Sequence, residues 1–178
     1  MGFLLLSGGT AAASAGAAAS MVPNYTVMLT AYNAVPEQTD SSPLETASGA
    51  YSNPEIIAAR SRDLADELPF GTIIELDGSN IVHENTCGFA VVARHIGYRV
   101  IADTMNARYT DRIDVLFDTQ ARYVAANGRA LNAANVLGIC KGVTARVVGY
   151  VDINHVPRTQ AGLAALVNGA DGNALALK

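Results

Sequence analysis

The chain has 178 residues, 50% of them apolar, and a formal net charge of −4 from 12 Lys and Arg against 16 Asp and Glu. That length suits one domain with an ordinary core, and the lack of basic excess removes the phosphate-neutralising contribution on which nucleic-acid affinity depends. No apolar run reaches the roughly 18 residues needed to span a bilayer as a helix.

Taken in chain order, residues 1–24 read as a leader. Phe3, Leu4, Leu5 and Leu6 form a short apolar block, followed by Ala/Ser/Gly sequence with A-x-A triplets. This fits the back half of a secretory signal or a disordered Ala-rich segment. The folded domain is expected over 25–151. "YTVMLTAY" is β-branched and aromatic enough for a strand. The next stretch, "NAVPEQTDSSPLETASGAYSNPE", has turn residues without period and is expected as a long ordered loop, a feature that tends to be functional. "EIIAAR" predicts a short strand, residues 63–67 a helical turn, and 72–76 another strand. "CGFAVVARHI" and "YRVIADT" predict successive strands around Gly97. In "RIDVLF" a two-residue period sets Ile113, Val115 and Phe117 on one face and Arg112, Asp114 and Leu116 on the other. "DTQARYVAANG" predicts a helix from Asp118 as N-cap to Gly128 as stop. "GVTARVVGYV" predicts a closing strand, and 152–178 a tail with one helix over 159–167. Short strands divided by turn residues, with little helix, argue for a small all-β barrel.

The candidate chemistry lies in "ADTMNARYTDRID", where Asp103 and Asp114 each close an apolar run. Two carboxylates brought together raise each other's proton affinity, so one can stay protonated and act as an acid. Spacing alone favours the structural alternative, in which Asp103 caps the turn and Asp114 pairs with Arg108 or Arg112. Cys87 and Cys140 form a disulfide if the chain is exported, or are two buried thiols. With His83 and His95 they also make a four-ligand zinc set on paper, at a spacing that fits no common finger.

In order along the chain stand "LTAYNAVPEQTDSSPLETASG", "LPFGT", "VIADTMNARYTDRIDVLF" and "ARYVAANG". Together these blocks resemble the three-aspartate (3D) domain family, related to the catalytic domain of MltA-type lytic transglycosylases, over residues 27–151. The resemblance implies a six-stranded double-psi β-barrel, exported to the periplasm or cell wall and acting as a monomer on peptidoglycan glycan strands. It implies no metal and no organic cofactor. By position, Asp114 falls on the catalytic acid and Asp103 on a partner aspartate hydrogen-bonded to it. Asp63 falls on the third family aspartate, with Asp66 close by. Thr30, Tyr32, Thr46, Gly71 and Thr72 fall in blocks expected to line the groove, and Met105 and Arg108 in a loop expected to border the glycan.

The implied reaction is non-hydrolytic cleavage between N-acetylmuramic acid and N-acetylglucosamine, ending in a 1,6-anhydro ring. A non-catalytic wall-binding or wall-loosening module on the same barrel is the alternative. An aspartic protease is a more distant one, because neither aspartate stands in an Asp-Thr/Ser-Gly turn.

Overall fold

The computed structural model describes residues 22–82 and 87–170. Burial alternates clearly along the long strands at the two ends of the barrel sequence, and among the described residues eight strands form: β1 (Asn24–Asn33), β2 (Ile57–Arg60), β3 (Thr72–Asp77), β4 (Tyr98–Thr104), β5 (Arg112–Phe117), β6 (Arg122–Val124), β7 (Ala130–Asn132) and β8 (Cys140–Tyr150). Six of them close a barrel in the order β1-β5-β2-β4-β3-β8. The β1–β5 and β2–β4 pairs are parallel and the other barrel pairs are antiparallel. The expected all-β, six-stranded barrel is therefore present, and closure leaves it no free edge. Among the described residues no helix is long and apolar enough to cross a membrane.

Two apolar clusters divide the two faces of the barrel wall. One draws Val27 and Leu29 from β1, Ala58 from β2, Ile74 from β3, Ile101 from β4, Ile113 and Val115 from β5 and Val143 from β8, and so fills the interior. The other takes the alternate positions, including Tyr32, Ile57, Ala59, Ile73, Val100 and Leu116, and lies on the outer face. Helix α3 (Gln160–Ala170) covers part of it with Leu163 and Val167, so the segment after Val151, expected as a tail, packs on the domain. Gln160 fixes the start of α3 through hydrogen bonds with the N–H and C=O of Tyr98.

Two expected elements differ. "FAVVARHI" is helix α1 (Phe89–Ile96), not a strand, because Val92 and Ile96, four apart, both reach the inner core. The expected helix after Asp118 is instead the β6–β7 hairpin, whose turn closes by the Ala125 N–H to the Arg129 C=O. Asp118 accepts the Gln120 N–H, as an Asx turn rather than a helix cap. A short helix, α2 (Ala133–Leu137), follows and is capped by the Asn132 side chain.

Cys87 and Cys140 are joined by a disulfide, with Cα atoms 4.9 Å apart. His95 packs edge-on against Phe117 and Tyr123. Bridged sulfurs are not thiolate ligands, so the paper zinc set fails; its fourth member, His83, lies outside the described residues, as does most of the leader.

Candidate active site

Strand register assembles the site. Thr30 of β1 pairs with Asp114 of β5, Asp114 pairs with Ala59 of β2, and Ala59 pairs with Asp103 of β4. The four form one row across the outer face. Asp103 joins the row only because the β2–β4 register slips after Ala58: Ala58 faces Ile101, Ala59 faces Asp103, and Ala102 is the extra residue. A bulge of this kind reverses which face the following side chain takes. The small Ala59 separates the two aspartates.

Over this row lies an open cleft of about 850 Å³. Its floor includes Tyr32, Ala59, Asp103, Met105 and Asp114, and its walls come from the 34–53 loop on one side and Asn106, Arg108 and Tyr109 on the other. The long loop expected from sequence is thus a wall of the cleft. It is held by Asp103, whose Oδ1 accepts the N–H groups of Ala47 (2.9 Å) and Thr104 (2.8 Å) while Oδ2 accepts the Tyr32 hydroxyl (2.8 Å).

Asp114 is placed differently. Its Oδ1 accepts the Thr30 hydroxyl at 2.8 Å, and among the described residues Oδ2 has no protein hydrogen bond, leaving it facing the cleft. Burial pushes the Asp114 carboxyl up to about 6; the Thr30 hydrogen bond and the Arg112 charge oppose that rise, and the charge of Asp103 adds to it. Tyr32 is held neutral by burial and by Asp103, which raise its phenol far above the ordinary value. The two aspartates therefore interact through space. The direct hydrogen bond expected between them is absent: Ala59 stands between them in the row, and the Asp103 carboxylate accepts from Tyr32 and two backbone N–H groups instead.

Of the residues expected to form the site, Asp114, Asp103, Tyr32, Thr46, Met105 and Arg108 line one cleft, and Thr30 supports Asp114 from behind. Three do not belong to it. Asp63 is exposed on the 3-10 turn Arg62–Leu64 and accepts the Asp111 N–H at 2.8 Å. Slight burial of Asp63 is outweighed by hydrogen bonds from Ser61 and Asp111, which keep its carboxyl below the usual range. It ties that turn to Asp111, whose φ is 51°. Gly71 sits at φ 91°, where a Cβ would lie 2.3 Å from the Val151 carbonyl oxygen, and it bonds Ile101 and Val151 through its backbone. Thr72 is buried and donates to the Pro69 carbonyl at 2.7 Å. Both are structural. Arg108 donates to the Tyr109 hydroxyl at 2.8 Å, and Asp114 makes no ion pair with Arg108 or Arg112.

Sequence reasoning missed Ala59, Tyr109 and the loop residues Glu37, Asp40 and Glu45, all of which line the cleft. No local signal singles out Ala59, because its neighbour Ala58 in the same short strand is also alanine and lies in the inner core. Among the described residues no group of three or more His, Cys, Asp or Glu side chains is placed to hold a metal ion. Compared with known proteins, the chain matches no family model, and a search of curated proteins finds no match.

Proposed function

We propose that the chain is a peptidoglycan lytic transglycosylase of the three-aspartate type, with Asp114 as its single acid/base. The observation that carries this reading is a carboxyl group raised to about 6, anchored through one oxygen and presenting the other to a cleft large enough for sugar rings. Protonated Asp114 donates to the glycosidic oxygen between N-acetylmuramic acid and N-acetylglucosamine, and that C–O bond breaks as positive charge develops at C1. The resulting carboxylate then takes the proton of the muramyl O6 hydroxyl as O6 bonds to C1. The acid is regenerated and an anhydro ring closes.

Ordinary glycosidases need a second carboxylate as nucleophile or as base for water. Here the second carboxylate, Asp103, already accepts three hydrogen bonds in holding the loop and Tyr32, which suits a mechanism whose nucleophile is the substrate's own hydroxyl, already near C1. Its remaining contribution is electrostatic, adding to the burial that raises the Asp114 carboxyl.

The test is digestion of purified peptidoglycan, with mass spectrometry of the soluble fragments, by the unaltered protein and by Asp114→Asn. Anhydromuramyl products from the first and none from the second are expected. Equal products from both remove Asp114 from the mechanism. Retention on peptidoglycan with no products from either leaves the wall-binding module, for which the fixed Asp103 is equally suitable.

A further inference from the structure

A second row of side chains crosses the outer face beside the first. Arg112 of β5 and Lys141 of β8 stand on either side of Met28 of β1, each in register with it. Lys141 reaches this face through another slip of register, between Val27 and Met28, in which Gly142 is the extra residue. Gly142 has φ 81°, and a Cβ there would lie 2.6 Å from the Asn80 carbonyl oxygen, so only glycine fits. Regular pairing would turn Lys141 inward and the neighbouring Cys140 outward. The bulge instead buries Cys140 in the inner core and sends the ammonium to the surface.

Arg112, Lys141 and Arg108 line a side pocket of about 380 Å³ together with Tyr109 and Asp111. The guanidinium carbons of Arg108 and Arg112 each lie 4.8 Å from the centre of the Tyr109 ring, which fixes both side chains before any ligand arrives. Among the described residues none of the three cations has a salt-bridge partner. Three positive charges line the pocket against the one carboxylate of Asp111, with Asp63 bonded to the Asp111 N–H and Asp114 within electrostatic reach of Arg112, so the lining itself carries a cationic excess that suits an anion.

We infer that this pocket is a carboxylate subsite that binds the acidic peptide stem carried by the muramyl sugar in the cleft. The inference rests on the proposed glycan reading of that cleft. Guanidinium groups match a carboxylate through paired N–H donors, and the ammonium adds a point charge. Reach is also suitable: the two rows are two residues apart along β1 and β5, about 7 Å. Arg108 and Tyr109 line both the cleft and the side pocket, so a branch leaving the sugar passes directly from one to the other.

The test uses N-acetylmuramyl-L-alanyl-D-glutamate, a monosaccharide with no glycosidic bond to cleave, so binding is read separately from catalysis. Titration by calorimetry and by backbone-amide NMR compares it with its fully amidated form, with inorganic phosphate and with glycerol phosphate. The expected result is binding that perturbs the amides around Arg112 and Lys141, weakened about tenfold or more by amidation and by Lys141→Ala. Arg108→Gln is a second variant on the opposite wall, and thermal melts confirm that both variants are folded. Equal binding of acid and amide overturns the subsite, and so does glycerol phosphate binding as tightly as the muramyl peptide. A protein that cleaves peptidoglycan without distinguishing acid from amide keeps the activity and loses the subsite. One that distinguishes them without cleaving keeps the subsite and loses the activity.

Discussion

Asp114 is where the physical chemistry is most exposed to measurement. Its carboxyl is raised from the ordinary 3.8 to about 6, first by burial, so the folded protein binds a proton there more tightly than the unfolded chain. Stability linked to this group is therefore complete below about pH 4, declines between about pH 4 and 6, and is lost above that. Asp114→Asn removes the cost of ionisation and should make the protein more stable at pH 7.5 by about 1–3 kcal/mol, with no gain at pH 3.5. Urea denaturation at the two pH values checks this, and an equal effect at both would mean that the carboxyl is not raised. The same variant should release no anhydromuramyl products. On the proposed reaction, the cleavage rate of the unaltered protein should fall as pH rises through about 6, where the acid is lost. Thr30 donates to the carboxylate and so favours the charged form; Thr30→Val should move that fall to higher pH, which a pH–rate profile would show. The pairing of Asp114 with the polar side of its strand was legible in "RIDVLF", because a regular strand keeps its period. The face taken by Asp103 was not, since it depends on one extra residue in β4 that no local pattern announces.

Among the elements, the barrel strands were legible, and the segments that became α1 and the β6–β7 hairpin were not. "FAVVARHI" has β-branched residues suited to either state; its helix exists because the inner core accepts Val92 and Ile96 on one stripe. In "VAANGRAL" the Asn127-Gly128 pair is a hairpin signal that outweighs the alanines. Both segments lie in the stretch closed by the Cys87–Cys140 disulfide, which spans a sequence separation of 53. Constraint of the unfolded chain over a loop of that length is worth about 4 kcal/mol. Reduction should therefore lower the denaturant midpoint by an amount equivalent to about 4 kcal/mol, read with and without dithiothreitol. At the junction of β3 with the end of β8, Gly71→Ala should cost about 1–3 kcal/mol, because the new methyl meets the Val151 carbonyl and φ is positive. Retention of cleavage activity in folded Gly71→Ala would agree with its place outside the cleft; its stability alone carries the expected loss.

The whole molecule is a barrel wall with a core on each side, and this arrangement links the C-terminal helix to the site. Ala59, Tyr32 and Met105 form part of the cleft floor and also belong to the outer apolar cluster that receives Leu163 and Val167. The inner cluster takes residues from all six barrel strands and needs nothing from α3. A chain ending at Val151 should keep the barrel but lose the burial of those two side chains, about 3–6 kcal/mol on transfer values. Set against a net stability of about 5–15 kcal/mol for an ordinary domain, that loss leaves the fold marginal rather than absent. The outer cluster should loosen first, since its covering element is gone while the closed hydrogen-bond ladder of the barrel remains. The truncated protein is therefore expected to retain the far-ultraviolet spectrum of a β protein, to bind a hydrophobic dye, and to lose cleft function before barrel structure. Hydrogen exchange locates the effect: amides of β4 and of the end of β8, the strands on which α3 packs, should exchange faster while those of the β1–β5 ladder stay protected. Uniform protection, with the stability of the full chain, would instead make α3 an appendage and leave the cleft floor supported by the barrel alone.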